Sequence, residues 1–370
     1  MNKRLVSIIK RYPPEIGGME VVAKEINSSL DKIEKLVITF NNKNSYNVDF
    51  VEEVKVYRLP IWFDRFSVRY SPMYNKSLNN IIRNDDILFY HYASGQPELF
   101  FIFNHRIKDK KFKKIVFYHM DVDGRGLMSN LYNSYVKKFF FPYFDKIIVT
   151  SPNIIKTSPV LRDFKDKIEV VPLFVDTSHF YPRKDNVRYK FVDNDEKLIL
   201  YVGRFGRYKG LEYLIESLRF LPENYKLLLI GKGKKEKELK DLVKKHNFNN
   251  RVIFLNHVKY QDLPFYYSAA DVFVLPSIDR GEAFGLVALE AMACGIPVIT
   301  TELGTGTTYH NINGETGIHV PPKNSKEIAN AVNTIVSQDW KNKKSDIIIN
   351  RAKDFDIKVF QKKIKKILEV

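Results

Sequence analysis

Two glutamates with seven residues between them, Glu282 and Glu290, lie in the segment DRGEAFGLVALEAMACGIPVIT, residues 279–300. Small or apolar residues (Ala283, Phe284, Gly285) follow the first. A strongly helix-forming run then spans 286–293, Gly295 ends it, and 296–300 reads as a strand. A helix that opens near Phe284 puts Glu282 in the turn at its positive end, among backbone N–H groups without helical partners. Glu290 then lies roughly 12 Å further along the axis and about 80° around it, so both carboxylates lean toward one groove. An anion site with a hydroxyl acceptor at each end suits two sugars joined by a diphosphate.

A second constellation stands in GRFGRYKGLEYLIESL, a strand–turn–helix with Gly203, Arg204, Lys209 and Gly210 in its turn. Two cations beside the positive end of a helix make a diphosphate clamp; the plain alternative is two surface cations on a loop. Gly17 and Gly18 follow a short apolar strand at 4–10 and open a helix. Backbone N–H groups approach a phosphate closely in such a turn, which also serves simply as a tight connection. His119 ends the strand of KKIVFYHMDVDGRG, with Asp121 two residues on. Carboxyl ends of parallel strands face the ligand crevice in an open α/β sheet, which places both well. Gly231–Gly233 is a further turn through which a ligand could approach the backbone.

These residues need a scaffold, and the chain supplies one by alternation. Apolar strands are expected at 35–40, 54–59, 86–91, 114–119, 146–150 and 168–171, mostly separated by helical or aromatic segments. After a polar gap at 179–196 they resume at 198–202, 226–230, 252–255, 272–275, 297–300 and 317–320. This pattern predicts α/β architecture, a doubly wound parallel sheet with helices on both faces. The domains expected are 1–178, a linker at 179–196, and 197–352, followed by an amphipathic terminal helix.

Length and composition set bounds. A chain of 370 residues exceeds one typical core, so two domains are the natural expectation. The single cysteine, Cys294, excludes internal disulfides and cysteine-based zinc sites and reads as a core thiol. No apolar stretch reaches the ~18 residues of a membrane span, and the N-terminus lacks a signal-peptide core; a cytoplasmic setting is expected. Net charge is +17, and residues 1–190 carry 32 basic against 21 acidic side chains. That excess points to an anionic membrane, a nucleic acid or a phosphorylated substrate. The segments 61–83 and 131–146 interleave aromatics with Arg and Lys. They suit either a membrane interface or helices that pack their aromatics inward. Stacking on nucleic acid ranks last, since no recognised module accompanies them.

With GRFGRYKG, the 279–300 segment and TGIHVPP in this order, the chain resembles retaining glycosyltransferases of family 4, nearly end to end. TELGTGTTYHNINGETGIHVPP is similar to a subgroup of mannosyl- and rhamnosyltransferases of surface-polysaccharide (O-antigen or capsule) assembly. The resemblance implies a GT-B fold, two Rossmann-like domains facing across a cleft, with the terminal helix (353–370) returning to the first. Arg204 and Lys209 would bind the donor's diphosphate, with Gly203 in their turn. Glu290 would accept from the ribose hydroxyls, and Glu282 from the transferred sugar, near the N–H groups of Ala283, Phe284 and Gly285. His119 would touch the sugar near the reacting carbon, and Gly17–Gly18 would form the glycine loop that approaches the diphosphate. The base would lie near 256–263, where Asn256–His257 replaces a glycine frequent in the family.

The implied reaction is retaining transfer of a hexose from a nucleotide diphosphate sugar, GDP-mannose-type favoured and UDP-hexose possible, to a lipid-linked or growing glycan at the inner face of the cell membrane. No cofactor and no metal are required. DVD at 121–123 matches the metal-binding Asp-x-Asp string of inverting enzymes of the other major fold. Its place after the strand-end histidine argues instead for a sugar- or acceptor-facing role. Retaining glycosidases hold two carboxyl groups ~5 Å apart, and the glutamates' spacing does not match. Front-side displacement, assisted by the leaving phosphate, is the family's usual proposal. Alternatives are a nucleotide-sugar epimerase or phosphorylase of the same fold, or a non-catalytic subunit that docks on membrane or nucleic acid. Replacing Lys209 by alanine is expected to abolish activity without disturbing the fold.

Overall fold

A computed structural model describes residues 3–15, 17–31, 33–41, 45–65, 68–108, 112–122, 126–184 and 186–370. Asp123, the second aspartate of the DVD string, lies outside them. The chain forms two compact units, Met1–Pro172 with Phe360–Val370, and Leu173–Val359. The polar gap at 179–196 therefore falls inside the second unit.

The first unit is built on one sheet. Its strands are β1 (Arg4–Ile8), β2 (Glu34–Phe40), β3 (Asn47–Val51), β4 (Val54–Leu59), β7 (Ile87–Tyr92), β8 (Lys113–Tyr118), β9 (Lys146–Val149) and β10 (Ile168–Val170). A separate two-stranded ribbon pairs β5 (Phe63–Arg65) with β6 (Val68–Tyr70). The sheet runs β10-β9-β8-β7-β1-β2-β4-β3, parallel throughout except for β3, which pairs antiparallel with β4 at the edge. Its central strands read as unbroken apolar runs because both faces are covered. The side chains of β7 are all buried, for example. One face carries an aromatic core in which Tyr90, Tyr92, Phe101, Phe140, Phe141 and Phe144 interlock. The segment 131–146 thus packs Phe140, Phe141 and Phe144 inward and leaves Leu131, Lys138, Phe139 and Tyr143 exposed. It continues the helix Leu127–Phe139, whose first turns leave Leu127, Met128 and Leu131 exposed.

The terminal helix, Ile357–Leu368, buries Phe360, Ile364 and Leu368 at four-residue spacing. From Phe360 onward it belongs to the first unit, where Gln361 donates to Glu25 (2.6 Å) and Lys113 to the Ile367 carbonyl (3.1 Å).

The second unit holds β11 (Lys197–Val202), β12 (Tyr225–Ile230), β13 (Val252–Leu255), β14 (Val272–Leu275), β15 (Val298–Thr301) and β16 (Gly317–Val320). They form an all-parallel sheet in the order β13-β12-β11-β14-β15-β16. The order reverses between β11 and β14, and in doubly wound sheets ligands bind beyond the carboxyl ends of the strands at that point. In the first unit the reversal falls between β1 and β7.

Candidate functional site

The reversal in the second unit brings together the two loops that the sequence marks. After β11 comes Gly203–Gly210; after β14 comes the loop that carries Ser277 and Glu282. Gly210 joins them. Its φ of +62° is left-handed, and a Cβ there would come 2.2 Å from the Pro276 carbonyl, so only glycine lets the loops pass this closely. Across that contact the Lys209 ammonium donates to Glu282 Oε2, which Ser277 Oγ also reaches at 2.9 Å. Both members of the pair are buried, Lys209 at 8% exposed and Glu282 at 7%.

Burial alone pulls the Lys209 ammonium down. Glu282, with smaller help from Tyr201 and Tyr208, outweighs it and holds Lys209 protonated, with its pKa raised. Arg204 is different: its side chain is exposed and forms no ion pair or hydrogen bond among the described residues. The expected pair of open cations is therefore one open cation and one committed to a carboxylate. Tyr201 Oη donates to the Arg204 carbonyl (3.1 Å) and steadies that turn.

Gly231 and Gly233 lie where one loop packs closely on another, although Gly233 is exposed. A Cβ on Gly231 would lie 2.0 Å from the Gly203 carbonyl, and one on Gly233 2.5 Å from that of Phe205. These glycines let two loops pack backbone against backbone.

The helix begins at Leu286, two residues later than expected, and ends at Ala293, with Gly295 left-handed (φ +78°) beyond it. Gly285 precedes it at φ +80°. The residues Ala283–Gly285 form a turn pinned through its carbonyls. Gly306 N donates to Ala283 (2.8 Å), and His310 Nε2 meets the Phe284 carbonyl at 2.8 Å. Thr305 Oγ1 donates to the Glu282 carbonyl (2.8 Å). Among the described residues the N–H groups of Ala283, Phe284 and Gly285 meet no acceptor. Three consecutive unpaired amides beside a helix start suit an anion.

Glu290 takes a different partner from Glu282. It accepts from Tyr267 Oη at 2.6 Å, on the helix Leu263–Ala269. Desolvation raises its carboxyl to about 7, against the pull of the Tyr267 hydrogen bond, while part of the residue remains open to solvent. With one glutamate held by Lys209 and Ser277 and the other by Tyr267, the two do not act as a carboxylate pair. Cys294 is buried and free, and burial raises its thiol.

In the first unit, Gly17 caps and Gly18 opens the helix Gly18–Ser28, directly after β1. A Cβ on Gly18 would meet nothing within 4 Å, so packing does not demand glycine there. His119 follows β8 and is buried (4% exposed), its N–H donating to the Tyr92 carbonyl at 3.1 Å. Its Nε2 lies 2.9 Å from Nδ1 of His91, on the adjacent strand β7. Asp121 accepts from Ser158 Oγ (2.6 Å) and from Tyr118 Oη. Among the described residues no group of three or more His, Cys, Asp or Glu side chains is gathered as a metal site would need.

Comparison with known proteins decides the family. Residues 16–179 match the model described as "Glycosyltransferase Family 4", and residues 183–355 match "Glycosyl transferases group 1". The chain is a family 4 glycosyltransferase. It is 29% identical to the D-rhamnosyltransferase WbpZ of Pseudomonas aeruginosa, over 86% of this chain and 83% of that one. Against the O-antigen chain mannosyltransferase C of Escherichia coli the identity is 27%, covering 92% and 90%. Sucrose-phosphate synthase from Thermosynechococcus elongatus superposes with a TM-score of 0.83 at 22% identity, covering 99% and 98% of the two chains. Anabaena HepE, solved in complex with UDP, does so at 0.79 and 19% identity over the whole of both chains. These likenesses give the glycosyltransferase its GT-B fold.

Several residues of this glycosyltransferase's candidate site carry no sequence signal. Ser277, Tyr267 and His91 stand in no motif, and His310 lies inside TELGTGTTYHNINGETGIHVPP without being singled out there. Tyr267, His310 and His91 reach their partners only when elements 23 to 28 residues apart are packed, whereas Ser277 meets Glu282 within one loop.

Proposed function

We propose that the enzyme transfers a hexose, with retention and without a metal ion, from a nucleotide diphosphate sugar to a lipid-linked or growing glycan in cell-surface polysaccharide synthesis. GDP-mannose-type donors are favoured, and UDP-hexoses are the other class. The observation that carries this reading is the Lys209–Glu282 pair at the sheet reversal, beside the unpaired amides of 283–285. Support for the donor and pathway comes from relatives named as a rhamnosyltransferase and an O-antigen mannosyltransferase, and from HepE structures with UDP and UDP-glucose.

In this reading the diphosphate lies against Arg204, Lys209 and the amides of Ala283, Phe284 and Gly285. As the sugar–phosphate bond breaks, these fixed charges and dipoles take up the negative charge that a metal ion would otherwise neutralise. Glu282, oriented by Lys209 and Ser277, accepts from a sugar hydroxyl. Glu290 accepts from the ribose. On the first domain, His119 serves the sugar and Gly17–Gly18 the diphosphate. The leaving phosphate takes the acceptor's proton in a front-side displacement. The exposed Leu127, Met128 and Leu131, with the basic excess of residues 1–190, provide peripheral contact with an anionic membrane.

A panel of GDP- and UDP-sugars, with and without glycan and lipid-linked acceptors and in the presence of a chelator, tests this by mass spectrometry and anomeric NMR. Retained configuration and chelator-insensitive turnover are expected. Arg204→Ala, at an exposed position, should leave stability unchanged and cost about 100-fold in kcat. No turnover of any donor sinks the reading; acceptor-free epimerisation would replace it.

A further inference from the structure

We propose that His91 is a positioning residue for the transfer reaction. Its Nδ1–H donates to His119 Nε2, which fixes His119 in the tautomer that presents Nδ1–H to the substrate.

The two rings sit at the ends of neighbouring strands, His91 on β7, which flanks the sheet reversal of the first unit, and His119 just past β8. β7 and β8 pair in parallel with His91 opposite Phe117, so Phe89, His91, Phe117 and His119 line one face. The imidazoles lie 5.2 Å apart between centroids, and Phe117 stacks on His119 at 4.6 Å. The terminal helix adds Phe360 against Phe117. His91 is 1% exposed and its main chain is tied down: Ser94 Oγ donates to its carbonyl at 2.5 Å and itself accepts from Lys10 N at 3.1 Å. Both rings are buried and stacked on aromatic neighbours.

A separation of 2.9 Å between His91 Nδ1 and His119 Nε2 requires one proton between them. Burial holds both rings neutral: it lowers His91 to about 3, and it lowers His119 well below the usual range with a smaller contribution from His91. Two arrangements remain. If His119 donated, the proton of His91 would sit on Nε2, which is buried and has no hydrogen-bond partner. That leaves an orphaned N–H among aromatic rings, the rarer and costlier defect. If His91 donates, its Nε2 is an unprotonated lone pair, and the remaining proton of the pair lies on His119 Nδ1. That nitrogen has no protein partner among the described residues. His119 then acts as a hydrogen-bond donor to an oxygen of the sugar, and it is not available there as a base.

Long-range proton–nitrogen correlation spectra of the full-length, 15N-labelled protein read the tautomers directly, with His119→Gln providing the assignment. The expected spectrum at pH 7 has Nδ1 protonated and Nε2 unprotonated in both rings. His91→Asn keeps an N–H near the position of Nδ1 and should preserve the His119 tautomer. His91→Phe keeps the ring volume and should release His119 into a mixture. The kinetic consequence rests on the glycosyl-transfer reading above. His91→Phe is expected to lose about 10- to 100-fold in kcat with donor KM little changed, and His91→Asn to recover most of it. Protonated Nε2 on wild-type His119, or an unchanged tautomer in His91→Phe, overturns the proposal. So does equal loss of kcat in both variants, which would mark His91 as packing alone. If the wild type turns over no sugar donor, the transfer reading falls, and the spectra alone decide the hydrogen bond.

Discussion

Lys209 and Glu282 show how a buried pair changes what a substitution means. An alanine at position 209 removes the cation and leaves Glu282 buried without its partner, which costs about 3 kcal/mol. The expectation that such a variant keeps its fold untouched does not survive the geometry, and loss of activity in it would mix two causes. Glu290 offers a cleaner probe. Its carboxyl is raised by desolvation to about 7, so the folded state binds its proton more tightly than the unfolded chain. A raised acid favours folding below its ordinary pKa, and that contribution is lost as pH climbs through the folded value. For Glu290 the window runs from about 4.5 to about 7. Glu290→Gln is neutral throughout and still offers Tyr267 an acceptor. Urea denaturation should find the variant close to wild type at pH 5 and more stable by about 2 kcal/mol at pH 8. An equal difference at both pH values would show that Glu290 does not titrate there. If Glu290 serves as a ribose acceptor it does so ionised, so the wild-type donor KM should fall as pH rises through about 7.

Two helix starts make a matched comparison at the scale of the element. Gly18 opens its helix with no atom within 4 Å of a Cβ, whereas Gly285 precedes its helix at φ +80° with Leu275 Cδ2 2.5 Å from that position. Gly285→Ala is therefore expected to destabilise by about 1–2 kcal/mol. Gly18→Ala should leave the melting temperature unchanged or slightly higher, since alanine is the better helix former. If Gly18 approaches a diphosphate, its methyl group fills the needed space and donor KM rises; an unchanged KM would leave Gly18 as a plain turn. The same elements show what was legible beforehand. The helix 286–293 lies between glycines with left-handed roles, and strands such as VFVL at 272–275 are unbroken apolar runs that only a doubly covered sheet explains. β3 was not legible, because NVDFV lies at the sheet edge with most side chains open and so lacks that run. Nor was the β5–β6 ribbon, hidden in an aromatic and basic stretch that reads equally as helix or interface. At the site, loop glycines and paired charges announced themselves. Tyr267 and His91 did not, since each works through a hydrogen bond made across elements, and neither did Ser277, whose bond to Glu282 depends on the fold of an irregular loop.

For the whole molecule the unspent feature is charge. Of the net +17, a surplus of 11 falls in residues 1–190, and the described residues include no helix long and apolar enough to cross a membrane. On the helix Leu127–Phe139, the exposed Leu127, Met128 and Leu131 share the first turns, and the exposed Lys138 follows near the end. Apolar side chains beside cations match a bilayer surface with anionic headgroups, where each basic residue near the surface contributes about 1 kcal/mol. Co-sedimentation should therefore capture the protein on vesicles that contain anionic phospholipid and leave it in solution with neutral phosphatidylcholine. Raising salt to about 0.5 M shortens the screening length to a few ångströms and should release most of it. Leu127→Ser with Leu131→Ser, at exposed positions, should weaken capture without lowering the melting temperature. Equal capture by neutral and anionic vesicles would count against the charge argument, and undiminished capture of the double variant against the helix. Nucleic acid tests the alternative use of the same charge. Binding there with a steep salt dependence, and none to vesicles, would assign the surplus to a different partner.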